Sequence, residues 1–326
     1  MKKEIIFIIS LFIIMSSCSN KNDTNNNQDK RKETTTIRLL YPQWQGGSTV
    51  GKFITELPSD DANKGYYLGA QLLNFLAPES SHRTVEVPVS LDINDRVTEN
   101  GMVAYRAILK TTRAALEQIQ ESNPERIVTL GGECSVSVVP FSYLAAKYPD
   151  DVAVVWFDAH PDLNLPNEDH KGYHAMALSA CMGKGDKEIM NLLPGKVDAS
   201  KVLLVGLRSW KTEGGTKERQ QEWGVKHLSP AEVAESSSAV LEWLESTGAS
   251  KVAIHFDLDV LDPADLVAQF AAFGIVPDGM KTEEVVRTIN DISAGYDVVG
   301  LTIAEPLPKV AIKLKNMLNE LPLLKD

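Results

Sequence analysis

The stretch that most constrains this chain is Val152–Asn164, which reads V-A-V-V-W-F-D-A-H-P-D-L-N. An apolar run bounded by polar residues is the pattern of a strand buried on both faces. It stops abruptly at Asp158, His160 and Asp162, three metal-capable side chains at i, i+2 and i+4 that an extended segment points the same way. Open α/β sheets keep their active sites at the carboxyl ends of such strands. Alone, the pattern also fits a capped turn. A second copy changes the balance: Lys251–Pro263 reads K-V-A-I-H-F-D-L-D-V-L-D-P, again an apolar strand running into alternating carboxylates, Asp257 and Asp259. Carboxylates crowded together repel and titrate upward unless cations sit among them. The two strand ends therefore read as a metal centre.

Strand and helix patterns alternate along the rest of the chain. Strands are expected at Ile37–Tyr41, Thr84–Val89, Arg126–Leu130, Val152–Phe157, Lys201–Gly206, Val252–Phe256 and Val298–Ile303. Helices are expected at Tyr66–Leu76, Gly101–Glu121 (Ala104, Ile108, Ala115 and Ile119 on one face), Val136–Tyr148, Ala175–Met182, Pro230–Glu245 and Thr282–Ile292. This alternation predicts a parallel sheet with helices on both faces. No domain boundary is evident after Thr36.

The N-terminal residues have a different character. Lys2 and Lys3 precede Ile5–Met15, an apolar run of signal-peptide length and too short to span a bilayer. Ser16-Ser17-Cys18-Ser19 then resembles the lipobox of bacterial lipoproteins, with Met15 in place of the usual Leu. The expected organisation is a lipoprotein signal peptide over 1–17, a disordered tether over 18–36 and one catalytic domain over 37–326. An ordinary secretory signal with an incidental Cys18 is the alternative. Either way the chain reads as exported, and Ser19 favours an outer-membrane anchor. The formal net charge of -11 argues against nucleic acid as a partner. With Cys18 assigned to lipid, Cys134 and Cys181 remain; Cys181 is expected to be buried and unpaired in a small-residue helix.

Four strand ends carry polar signatures: Gly131-Gly132-Glu133-Cys134-Ser135, the Asp158/His160/Asp162 triplet, the Asp257/Asp259 pair, and Ala304-Glu305-Pro306. Taken in order, they resemble the ureohydrolase superfamily of arginase, agmatinase, guanidinobutyrase and formiminoglutamase, whose signatures are G-G-D-H-S, D-A-H-x-D, S-F-D-x-D-x-x-D-P and a late Glu. The resemblance implies a single-domain, three-layer α-β-α sandwich on an eight-stranded parallel sheet. It implies two manganese ions at the sheet edge, one on Asp158, His160, Asp257 and Asp259, the other on Cys134, Asp158, Asp162 and Asp257. A hydroxide shared by the metals would attack a guanidinium or amidine carbon and release urea or a related amide. Glu305 would hold the cationic carbon group, and His174 would shuttle a proton to the leaving amine, with His170 its rival. Asp162 would act at the same centre. The small guanidino or amidine substrate is the implied partner, and family members are often homo-oligomers.

Three departures from the family pattern matter. Cys134 stands where the family has a ligating His, which favours zinc or iron over manganese, or else leaves that metal weak or absent. Trp210 and Lys211 stand where arginases carry an Asp that reads the substrate's α-amino group, which argues against free arginine. Ala264–Gly279 replaces a Thr- and Gly-rich contact segment. His255 replaces a small residue, and nothing in the sequence gives it a role. The leading expectation is a metal-dependent hydrolase of linear amidines with an agmatine-like substrate. The alternatives are a single-metal, deacetylase-like amide hydrolase on Asp158, His160 and Asp259, and a non-catalytic binding protein at the cell surface.

Overall fold

The computed structural model describes residues 35–47, 64–210, 215–266, 278–307, 318 and 320–324. The signal peptide, Cys18 and nearly all of the tether lie outside these residues, as do Lys211 and most of Ala264–Gly279. Ten strands are described: β1 Thr36–Tyr41, β2 Arg83–Glu86, β3 Thr98–Glu99, β4 Met102–Val103, β5 Arg126–Gly131, β6 Val152–Phe157, β7 Val202–Val205, β8 Lys226–Leu228, β9 Lys251–Asp257 and β10 Asp297–Ala304. Eight of them form one sheet in the order β2-β1-β5-β10-β9-β6-β7-β8, with every pairing parallel.

Helices cover both faces: α1 Gly65–Leu76, α2 Tyr105–Ser122, α3 Val138–Lys147, α4 Ala177–Cys181, α5 Lys187–Leu192, α6 Thr216–Trp223, α7 Pro230–Val233, α8 Ser238–Thr247 and α9 Thr282–Gly295. All six residues of β6 are buried, as its unbroken apolar run requires. Val154 and Trp156 belong to one core, while Ala153, Val155 and Phe157 belong to the core on the opposite face. That split is the two-residue period of a strand. Between β5 and β6 the chain skips two sheet positions, which β10 and β9 later fill. The carboxyl ends of β5, β10, β9 and β6 thereby stand side by side.

Three expectations need correction. The helix expected from Gly101 starts at Tyr105, because Asn100 and Gly101 both take positive φ and close the short β3–β4 hairpin. Asn-Gly is the pair that a two-residue hairpin loop favours. The helix expected over Pro230–Glu245 is two helices, α7 and α8. Ser229 and Glu232 cap the start of α7, and the serines that follow it bind each other and α9: Ser236 Oγ accepts from the Ser238 amide, and Ser237 Oγ donates to Asp291. Serine hydroxyls compete with the helical ladder in this way. The edge strand β8 (Lys-His-Leu) was not expected, because its residues are exposed or half-buried and carry no apolar run. No helix among the described residues is long and apolar enough to cross a membrane.

Candidate metal centre

Each strand end turns sharply on its own carboxylate. Asp158 Oδ1 accepts from the His160 amide at 2.6 Å, and Asp257 Oδ1 accepts from the Asp259 amide at 2.6 Å. Asp259 Oδ1 ties the two ends together by accepting from the Ala159 amide at 3.1 Å. These are the local turns that Asp forms with the backbone two residues on. In Asp257 and Asp259 the second oxygen is left to face the centre: Oδ2 of Asp257 meets Cys134 Sγ at 2.9 Å, and Oδ2 of Asp259 meets His160 Nδ1 at 2.9 Å. Arg208 braces the β9 end by donating to the carbonyls of Asp259 (2.8 Å) and Val260 (3.0 Å).

Cys134 arrives from the β5 end. Glu133 is fully buried and accepts from the amide and hydroxyl of Ser135, shaping the turn. Gly132 has no substitute there, since a Cβ would lie 1.8 Å from the Gln43 carbonyl oxygen. Asp162 takes φ +49°, and its carbonyl accepts from the amides of Leu178 and Ser179 at the start of α4. Glu305 also has a positive φ, +58°, and its amide donates to the Gly132 carbonyl at 2.7 Å. Non-glycine residues held in that region are costly and collect at functional sites. Cys134 Sγ lies 3.6 Å from Glu305 Oε1.

Three sets of donor atoms, each mutually within 4.8 Å, result among the described residues: Cys134, Asp158, Asp162 and His255; Cys134, Asp257 and Glu305; and Asp158, His160 and Asp259. The six residues expected as ligands all fall within these overlapping sets. Glu305 joins them and His174 does not. Burial, then the neighbouring Asp259, pushes Asp158 up to about 6, and burial pushes Asp257, Glu305 and the Cys134 thiol well above their ordinary ranges. Burial works against the charged forms of Asp259 and His160 as well, yet their mutual attraction prevails, holding Asp259 low and His160 high. A cluster that resists carrying its own negative charge is one that divalent cations would stabilise, so sulfur, imidazole and carboxylate donors here fit such ions.

His174 is half-buried. Its Nδ1–H donates to the Gly46 carbonyl at 2.7 Å, which leaves the lone pair on Nε2. Burial, then His170, lowers it to about 3. The His170 and His174 rings meet edge to face at 4.9 Å. Trp210, expected at the position where arginases read the α-amino group, turns to α6: its Nε1 donates to Gln220 at 3.1 Å, and its ring packs on His227. Sequence reasoning missed two residues. Tyr66 on α1 is buried and hydrogen-bonds Glu305; no sequence signal marks it. His255, noted in the sequence but given no role there, lies two residues before Asp257 on one strand face, a spacing that could have suggested one. Both remaining thiols, Cys134 and Cys181, are buried and free.

Comparison with known proteins agrees with this architecture. An arginase from Staphylococcus aureus (strain MRSA252) is 27% identical over 175 residues, 51% of this chain and 57% of that protein. The chain thus spans under two thirds of that relative's length. The N(omega)-hydroxy-L-arginine amidinohydrolase of Streptomyces lavendulae is 30% identical over 204 residues, 62% of this chain and 67% of that protein. In fold, the crystal structure of Entamoeba histolytica arginase in complex with L-ornithine superposes with a TM-score of 0.72 at 19% identity, covering 88% of this chain and 95% of that one. The sequence model of the arginase family matches residues 72–318, and the chain belongs to that family.

Proposed function

We propose that the protein is a metal-dependent hydrolase of carbon–nitrogen bonds in linear amidines or guanidino compounds, with an agmatine-like substrate favoured over free arginine. The observation that carries this reading is the convergence of Cys134, Asp158, His160, Asp162, Asp257 and Asp259 at one sheet edge. Asp158, His160 and Asp259, with Asp257 beside them, would hold one cation; Cys134, Asp158, Asp162 and Asp257 would hold the other. Bound divalent ions supply Lewis acidity and make a nucleophilic water available near neutral pH. The named ions are manganese by family resemblance, and zinc or iron by the chemistry of Cys134.

The protein's own groups supply the remainder. Glu305, fixed by Tyr66 and by its amide bond to Gly132, turns a carboxylate toward the centre, where it can accept charge-assisted hydrogen bonds from a planar guanidinium. His174 is uncharged at neutral pH with a lone pair on Nε2, so it can take a proton from the reacting water and return it to the departing amine. Relatives named arginase and N(omega)-hydroxy-L-arginine amidinohydrolase support an amidino-bearing substrate. The Gly206–Lys211 loop carries no carboxylate to read an α-ammonium.

Purified protein with manganese, zinc or no metal, tested against arginine, agmatine, guanidinobutyrate, guanidinopropionate and formiminoglutamate, checks the reading. Urea, or formamide from the last, is expected only with metal, and no product from any of them overturns it. A single-metal amide hydrolase is the second reading, favoured by the way Asp158, His160 and Asp259 close on one another; about one zinc per chain rather than two metals would support it. Export and anchoring at Cys18 belong to the proposal too, supported by Lys2, Lys3 and the apolar run before Ser16. Incorporation of labelled fatty acid that Cys18→Ala abolishes is the expected result.

A further inference from the structure

His255 is fully buried on β9. Its register partner on β6 is Trp156, and the two rings stack with centroids 3.6 Å apart and planes at 11°. Nδ1 is engaged at 2.7 Å with Ser137 Oγ, in the turn that also carries Cys134. Nε2 is buried and has no hydrogen-bond partner among the described residues. A ring nitrogen of His255 lies within 4.8 Å of donor atoms on Cys134, Asp158 and Asp162. Packing alone does not account for this arrangement. A buried imidazole nitrogen without a partner carries an uncompensated desolvation penalty, and an apolar residue would stack on Trp156 without it.

We infer that His255 is itself a metal ligand: its Nε2 joins Cys134, Asp158 and Asp162 around one cation, completing a sulfur–nitrogen–two-oxygen set that selects zinc or a similarly thiophilic ion over manganese. This rests on the metal-dependent reading above and adds a ligand and a metal class to it. When Ser137 Oγ accepts from Nδ1–H, Nε2 keeps its lone pair, the form of imidazole that binds metals. The Trp156 stack fixes the ring plane, and Trp156 Nε1 also donates to Asp158 at 3.0 Å, so one indole positions two members of the set. An imidazole lost from the β5 turn, where Cys134 stands, is thereby supplied from the neighbouring part of the sheet. His255 would thus take the place given above to Asp257 on this cation, and since four protein donors satisfy zinc, the open position for water would belong to the cation on Asp158, His160 and Asp259.

The test uses the full chain, stripped of metal and titrated with zinc or with cobalt(II) as a coloured probe. His255→Asn keeps a side-chain nitrogen near the Nδ1 position and deletes Nε2; His255→Gln puts an amide near the Nε2 position. The wild type should show a sulfur-to-cobalt charge-transfer band that Cys134→Ala removes. His255→Asn should weaken zinc at that site at least ~10-fold and alter the cobalt spectrum, with partial recovery in His255→Gln. Zinc-edge X-ray absorption of the wild type, which needs no variant to fold, should show sulfur and imidazole on the same ion. Unchanged zinc affinity and cobalt spectrum in His255→Asn, or a sulfur-bound zinc without imidazole, overturns this inference and leaves the hydrolase reading standing. A wild type that binds neither zinc, cobalt nor manganese overturns both.

Discussion

His160 Nδ1 lies 2.9 Å from Asp259 Oδ2 and 3.5 Å from Asp158 Oδ1. That nitrogen faces carboxylates from two strand ends, on the ground a cation would take. Asp158 also belongs to the set around Cys134, so removing it should empty both metal positions. Asp158→Ala is expected to lose bound metal, by elemental analysis, and turnover together. Turnover at the wild-type rate would remove Asp158 from the centre.

Cys134 meets Asp257 and Glu305 with a sulfur whose deprotonation burial opposes. Imidazole is a harder donor and needs no deprotonation to bind. Cys134→His is therefore expected to raise manganese affinity relative to zinc, read by competition titration of the stripped protein. A fall in manganese affinity would show that position 134 does not face the ion.

Gly69 on α1 lies so close to the turn after β10 that a Cβ would sit 1.7 Å from the Pro306 carbonyl oxygen. Backbone cannot yield as a side-chain tip can, so Gly69→Ala must displace the segment that carries Glu305. The expected cost is about 1–3 kcal/mol in denaturant unfolding, with turnover falling further than metal content. Equal losses in the two would mean that Glu305 has no separate part in the reaction.

Asp151, just before β6, accepts from the amide and hydroxyl of Ser250 at 2.7 Å each and from Lys251 at 3.0 Å, joining the starts of β6 and β9. The Ser250 bonds hold its carboxyl down at about 2. A lowered folded-state value means stability that is present above the unfolded value near ~3.9 and lost as pH falls through about 2. Because 38% of the side chain is exposed, the contribution should not exceed ~1 kcal/mol. Asp151→Asn should lower stability at pH 6, and the gap to wild type should close between pH 4 and 2 in parallel denaturant melts.

What could be read from residues alone was what is local or periodic. The buried run of β6 announced its strand to the residue, and the clustering of Asp158, His160 and Asp162 just after it marked the centre, although not through strand alternation: the strand ends at Phe157, and a turn on Asp158 with Asp162 at φ +49° brings the three there. Chain-local chemistry that was overlooked, such as the Asn100-Gly101 hairpin and the serines between α7 and α8, cost element boundaries but not the architecture. Only the tertiary structure could show that Tyr66 braces Glu305 and that His255 stacks on Trp156 with a nitrogen near Cys134. Those relations join residues from distant parts of the chain. They depend on the sheet order, which puts β9 and β10 between β5 and β6, and no local pattern encodes which strands become neighbours.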